Sequence, residues 1–285
     1  MKRFFLIPNP QKDDMLSCTR AAAAVLLDAG ATVYMQEPFA GLCDARVSKI
    51  KEGELPPDAE AIITVGGDGT VLEASRIALR LGIPLLGINL GRFGYMAELE
   101  PERLADLCKL LSDDFSLREL MTLRVSLVRK GQTWVLPRLA VNDVVFYRSA
   151  IGHMVTLGLS SVSTKSEVKY MADGLILATP IGSTAYSLSA GGPVLSSEVA
   201  AICATPICPH SFFNRSLLYS AGEILCVRNL SVEDGITVTI DGRENMYLEP
   251  QDSVIVERSE TPFYIISFHK KDFISVLQQK MKTAE

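Results

Sequence analysis

Along residues 1–120, short apolar runs alternate with longer stretches whose apolar positions recur at helical spacing. Phe4 to Pro8 is the first such run, closed by Pro8-Asn9-Pro10, and it predicts a buried strand. Asp13 to Ala29 is rich in alanine and leucine and predicts a helix, with Asp13 or Asp14 as cap and Gly30 as stop. Thr32 to Met35 and Ala61 to Val65 predict two more strands, the second apolar on both faces, as the interior of a parallel sheet requires. That strand runs into Gly66-Gly67-Asp68-Gly69-Thr70, and Val71 to Leu81 then reads as a helix stopped by Gly82. Pro84 to Ile88 repeats the strand pattern and opens into the glycine-containing stretch Asn89 to Tyr95. Pro101 opens a helix bearing Leu104, Leu107, Cys108 and Leu111. This succession predicts an α/β fold, a doubly wound parallel sheet with its ligand-binding loops at the strand C-terminal ends.

The rhythm changes after Leu120. Arg124 to Val128, Trp134 to Leu139, Val144 to Tyr147 and Met154 to Leu159 read as strands joined by short turns. Leu175 to Ala178, Leu225 to Val227, Ile236 to Ile240 and Ser253 to Val256 continue the pattern, and Asp272 to Lys282 predicts a closing helix. The expected organisation is an α/β domain over 1–120, a β-rich, β-sandwich-like domain over 121–262, and a C-terminal segment over 263–285 whose helix returns to the first domain.

Charge and composition narrow the chemistry. The formal charge of −5 argues against a broad nucleic-acid footprint. No apolar run approaches the roughly 18 residues of a membrane span. The basic start at Lys2-Arg3 leads into an apolar run that stops at Pro8, too short for a secretion signal, so the cytoplasm is the expected compartment. Six scattered cysteines without a CxxC pair predict reduced thiols rather than disulfides or a zinc site. Three histidines leave little material for a His-centred triad, and His210 is expected in a buried turn bonded to backbone. No metal site built from protein side chains is expected.

Two stretches carry chemistry. In Gly66-Gly67-Asp68-Gly69-Thr70 the glycines let backbone approach a ligand, and the helix behind offers unpaired N–H groups suited to phosphate. The turn matches neither the GxGxxG nor the Walker pattern. Asp68 has three readings: a helix cap, a proton acceptor for an attacking hydroxyl, or a ligand to Mg²⁺. In Asp173 to Pro193 a strand enters a hydroxyl- and glycine-rich turn. There Ser183 and Thr184 can cap a helix or donate to phosphate and ribose oxygens, and Tyr186 can stack or hydrogen-bond.

Together these stretches resemble the NAD kinase family, bacterial type. The resemblance adds Gly87 to Tyr95, Asn142-Asp143-Val144-Val145, Cys208-Pro209-His210-Ser211 and Asp241-Gly242-Arg243, all in family order across residues 60–245. It implies phosphorylation of the adenosine ribose 2′-hydroxyl of NAD by ATP, or by polyphosphate, with Mg²⁺ accompanying the donor. Asp68 matches the proposed catalytic proton acceptor and, with Gly69, an NAD contact. Gly66, Gly67, Gly69 and Thr70 fall on the triphosphate side. Asn142, Asp143, His153, Asp173, Arg243 and the run Thr184, Ala185, Tyr186, Ser187, Leu188 and Ser189 match NAD-binding positions. The β-rich domain is then the NAD-binding one, and the family implies a homodimer or homotetramer. Met171 departs from the pattern, standing where some members have arginine. A lipid kinase or a phosphofructokinase-like enzyme would share the Gly-Gly-Asp-Gly turn but not the 173–193 and 208–211 stretches. A non-catalytic NAD sensor would bind without turnover.

Overall fold

The computed structural model describes residues 1–91, 94–150, 153–164, 166–210, 213–232, 235–269 and 273–282. The chain divides into two compact units, residues 1–119 with 263–285, and residues 120–262.

In the first unit, β1 (Arg3–Pro8), β2 (Thr32–Gln36), β3 (Ser48–Ile50), β4 (Ala61–Gly66) and β5 (Leu85–Asn89) pair in parallel in the order β3-β2-β1-β4-β5. The chain moves outward from β1 to β3, then crosses back to lay β4 and β5 on the other side of β1. The order therefore reverses between β1 and β4, the switch point at which open α/β sheets form a crevice outside their strand ends. Phe4, Leu6, Ile63 and Val65 share a core with Ala22, Ala23 and Leu26 of α1 (Ser17–Asp28). The intervening Phe5, Ile62 and Leu85 are equally buried, so both faces are covered, as the unbroken apolar runs require. The helix α2 (Asp68–Leu81) lies against β4 and β5 and stops at Gly82, whose φ of +67° suits glycine.

Leu16 is the N-cap of α1, and Asp13, rather than Asp14, supplies the carboxylate that satisfies its first turn. A short 3₁₀ turn at Asp14–Leu16 comes first, and the Asp13 carboxylate accepts from the N–H groups of Cys18 and Thr19 at 2.9 and 2.8 Å. Pro101–Leu110 forms a 3₁₀ helix with a break at Arg103 where the sequence pattern predicts an α-helix. Its core-facing residues Leu104, Leu107 and Leu110 stand three apart, the repeat of the tighter helix. The strand β6 (Ser116–Leu120) follows.

The second unit is a sandwich of two antiparallel six-stranded sheets. It comprises β7 (Leu123–Arg129), β8 (Gln132–Val135), β9 (Asp143–Arg148), β10 (Val155–Ser161), β11 (Glu167–Ala172) and β12 (Gly174–Ala178). After the short helix α3 (Tyr186–Ser189) come β13 (Ala201–Ile207), β14 (Leu217–Ser220), β15 (Leu225–Asn229), β16 (Ile236–Ile240), β17 (Arg243–Leu248) and β18 (Ser253–Arg258). The sheet orders are β11-β10-β15-β18-β7-β8 and β14-β13-β12-β9-β16-β17. Alternate residues such as Leu157, Val227 and Val254 of one sheet and Phe146, Leu175 and Val238 of the other form the shared core. On the outer face of the second sheet, Val145, Ile176 and Cys203 are covered by Leu195 and Ala190, so the stretch after β12 folds back over its own sheet.

The chain then returns to the first unit. There β19 (Phe263–Ser267) pairs in parallel with β5, completing the seven-stranded order β3-β2-β1-β4-β5-β19-β6, and α4 (Phe273–Lys282) follows. No helix among the described residues is long and apolar enough to cross a membrane.

Candidate active site

The Gly-Gly-Asp-Gly turn leaves β4 at the switch point. Gly67, with extended backbone, is the N-cap of α2, and Asp68 is the first helical residue. Asp68 does not cap the helix: its carboxylate turns away and accepts three backbone N–H groups from a distant segment. Oδ2 takes Tyr95 at 2.8 Å, and Oδ1 takes Met96 and Ala97, both at 3.0 Å. A carboxylate offers roughly four acceptor positions, so one on Oδ2 is left for a further donor. The approach is close enough that a Cβ on Gly94 would overlap Asp68 Oδ1. Arg118 fixes the donor segment, giving Nη2–H to the carbonyl of Tyr95 at 2.6 Å with Nη1 3.5 Å from Glu98. Glu98 in turn accepts from the Ser267 hydroxyl at 2.6 Å.

The rest of the turn divides by exposure. Gly69 is exposed, Gly66 and Gly67 are buried, and Thr70 is buried beneath them. The Thr70 hydroxyl oxygen accepts from Asn9 Nδ2 at 2.9 Å, tying the turn after β1 to the first turn of α2. Asn89 helps shape the neighbouring loop, its Oδ1 accepting from Gly91 N–H at 3.2 Å. Arg92 and Phe93 of that loop lie outside the described residues.

The second unit gathers the other predicted carboxylates. Asn142 and Asp143 stand at the start of β9, beside Asp241 at the end of β16. The buried Asp241 carboxylate accepts the N–H groups of Val141, Asn142 and Asp143 at 3.0, 2.8 and 3.1 Å. From the other side, Thr179 N–H and hydroxyl donate to the carbonyls of Asn142 and Val141 at 2.8 and 2.6 Å. This backbone is therefore locked on both edges, while its two side chains are not used up. Asn142 Oδ1 is buried with no hydrogen-bond partner among the described residues. Burial, and then the charge of Asp241, push the Asp143 carboxyl up to about 7. Burial raises Asp241 too, but the three N–H donors and Arg138 oppose it. Asp241 was legible only as part of an Asp-Gly turn; its φ of +52°, a left-handed conformation that aspartate tolerates, is what aims the carboxylate back at 141–143.

Around these residues the 173–193 stretch takes specific roles. Asp173 pairs with Arg148 at 2.9 Å. Tyr186 is exposed, and burial of its hydroxyl end, then Tyr147, Cys208, Asp143 and Asp173, raise its phenol above the ordinary value, so it stays a neutral donor. Neither Ser183 nor Thr184 caps a helix: their hydroxyls donate to the carbonyls of Pro180 and Ile181 at 2.6 and 2.9 Å. Ser187 points inward, its hydroxyl 3.0 Å from that of Thr205, because that face of α3 lies on the sheet. Ala185 is half-buried, whereas Leu188 and Ser189 are exposed, as are His153 before β10 and Arg243 at the start of β17. His210 is exposed rather than buried; it is its backbone N–H that donates, to Met171 at 2.8 Å.

Comparison with known proteins also finds two parts in the chain, though with other bounds. Residues 4–115 match the family model of the ATP-NAD kinase N-terminal domain, and residues 141–268 match that of the ATP-NAD kinase C-terminal domain. An NAD kinase of Caldanaerobacter subterraneus is 32% identical over 282 residues, covering 99% of each chain. One from Acetivibrio thermocellus is 34% identical over 284 residues, covering 99% of this chain and 97% of its own. Among solved structures, yeast NADH kinase complexed with NADH superposes with a TM-score of 0.85 at 22% identity, covering 99% of this chain and 88% of its own. An Archaeoglobus fulgidus NAD kinase in complex with ATP gives 0.72 at 24% identity, covering 97% and 99%. With full-length relatives above 30% identity and both domain models matched in order, the chain belongs to the ATP-NAD kinase family.

Proposed function

We propose that this protein phosphorylates the adenosine ribose 2′-hydroxyl of NAD with ATP, giving NADP and ADP, and that Asp68 is its catalytic residue. One observation carries the assignment of Asp68: three backbone N–H groups hold its carboxylate in place and leave one acceptor position on Oδ2. A ribose hydroxyl donating there is oriented for in-line attack, and its proton passes to the carboxylate as the oxygen–phosphorus bond forms and the bond to ADP breaks. The N–H groups at the start of α2 suit the phosphates. Mg²⁺ would accompany ATP and neutralise charge on its phosphates; the turn would add no carboxylate ligand, because the one acceptor position left on Asp68 goes to the ribose hydroxyl.

NAD recognition falls to the second unit in this reading. The partnerless acceptor of Asn142 suits the adenine amine, the Asp143 carboxyl suits ribose hydroxyls, and the neutral Tyr186 phenol can stack or donate. Asp173, Arg243 and His153 are assigned to the remainder of the dinucleotide. The reading extends to a cytoplasmic homodimer or homotetramer, which light scattering tests. Purified protein with ATP, Mg²⁺ and NAD is expected to form NADP, read by an NADP-specific dehydrogenase. Tight NAD binding without ATP-dependent NADP would overturn it in favour of a sensor, and parallel reactions with polyphosphate and NADH define the donor and the redox form accepted.

A further inference from the structure

The turn after β1 carries a charge that has no counterion among the described residues. Lys12 is exposed, and its ammonium makes no hydrogen bond or ion pair among the described residues. It nevertheless does not extend away from the protein. Nζ lies 2.9 Å from where a Cβ on Gly67 would stand and 3.6 Å from one on Gly91, so it rests over the loops that leave β4 and β5. The turn is held there from several sides. Asn9 N–H donates to Val65 at 2.9 Å, its Nδ2 to Thr70 Oγ1 at 2.9 Å, and its carbonyl accepts Lys12 and Asp13 N–H at 3.0 Å. Asp13 is itself fixed by the first-turn N–H groups of α1.

Electrostatics makes this placement informative. The start of α2 is the positive end of a helix, with N–H groups that have no partner one turn back. An ammonium beside it is repelled, and the nearest carboxylate of the turn, Asp68, already has three of its acceptor positions occupied by residues 95–97. A polyanion between the two turns repulsion into joint attraction. The location is also the switch point, with Lys12 arriving on the loop after β1 and Gly67 on the loop after β4. We propose that Lys12 is a phosphate-binding residue: its ammonium closes on the β- and γ-phosphates of ATP from the β1 side while the N–H groups at Gly67 to Gly69 hold them from the β4 side. Gly67 and Gly91 leave room for that side chain, and Asn9 positions it. The inference rests on ATP occupying the 66–70 turn.

The test is calorimetric titration of Mg-ATP, and separately of NAD, into the full chain and its Lys12→Met and Lys12→Arg variants. Lys12→Met is expected to weaken ATP binding about 10- to 100-fold, as for loss of a charged hydrogen-bonding partner. Lys12→Arg should retain most of the affinity, NAD binding should not change, and neither variant should shift the unfolding midpoint. In turnover the loss should appear in the KM for ATP. An ATP affinity for Lys12→Met within twofold of the parent overturns the proposal, as does equal weakening of ATP and NAD. If the parent binds ATP but makes no NADP, the functional reading fails while the titrations still decide Lys12. A parent that binds no ATP overturns both.

Discussion

In the first unit Asp68 gathers three backbone N–H groups from residues 95–97; in the second, Asp241 gathers three from residues 141–143. Asp68 is half-exposed at the start of a helix and keeps one acceptor position open. Asp241 is buried in a left-handed turn, and its charge is spent on the backbone that presents Asn142 and Asp143. The same device thus fixes a half-exposed carboxylate, the proposed reactive group, in one place and builds a platform in the other. What separates them is leftover capacity. The groups that the proposed function assigns to ligand are those whose polar atoms the fold does not satisfy: Oδ2 of Asp68, the amide oxygen of Asn142 and the carboxyl of Asp143.

The largest test of that distinction is Asp68→Asn. Turnover is expected to fall roughly 10²–10⁴-fold in the coupled NADP assay, as for loss of a general base. Asparagine keeps one oxygen and turns an NH₂ toward the donors at 95–97, so the unfolding midpoint should also fall, by about 1–3 kcal/mol of stability. Near-normal turnover would make Asp68 a clamp like Asp241 and nothing more.

The comparison also explains what the sequence could reveal. The apolar run into Gly66-Gly67-Asp68 announced both the buried strand and the turn, because burial on both faces and tight turning are local demands. The partners of Asp68 lie 27 to 29 residues away and act through backbone N–H groups, which no side-chain pattern encodes. Asp241 faces residues nearly a hundred positions earlier for the same reason. Thr184 and Ser187 were legible as hydroxyls, but whether each meets ligand or scaffold depends on how the stretch folds over its sheet. The strand β19 escaped notice because its neighbour β5 lies far back in the chain. In β13, Pro206 argues against a strand, yet β14 pairs only with residues 201–204, so the missing N–H falls where that side has no partner strand.

Asp143 tests the second platform from the side of pH. Its folded pKa, about 7, lies above the ordinary carboxyl value of 3.8. A raised pKa contributes stability that is fully present below about pH 4 and is lost as pH rises through about 7. A tenfold change in proton affinity corresponds to about 1.4 kcal/mol, so Asp143→Asn should be more stable than the parent by about 4 kcal/mol above pH 7. The two should converge below pH 4 in denaturant titrations. Parallel curves across this range would show that Asp143 is satisfied, as Asp241 is.

Asp241→Asn probes the platform itself. Asparagine tolerates the left-handed backbone, so the loss isolates the hydrogen bonds and is expected at about 2 kcal/mol in unfolding free energy. Removing the Asp241 charge should also move the pH-dependent step of Asp143 to lower pH. A step that stays in place would mean burial alone raises Asp143.

Gly94→Ala separates the position of the Asp68 carboxylate from its presence. The added Cβ would overlap Oδ1, and the neighbouring backbone supplies all three donors, so relief comes most readily by rotating the short Asp68 side chain away from residues 95–97. The charge survives while the orientation is lost. Stability should fall by about 1–2 kcal/mol, as for overpacking against a group that can move. Turnover should fall about tenfold with little change in the KM for either substrate, since misplacing a reacting group acts on the transition state more than on binding. An unchanged turnover would mean that Asp68 works wherever it points, and its three N–H donors would then serve the loop alone, as those of Asp241 serve residues 141–143.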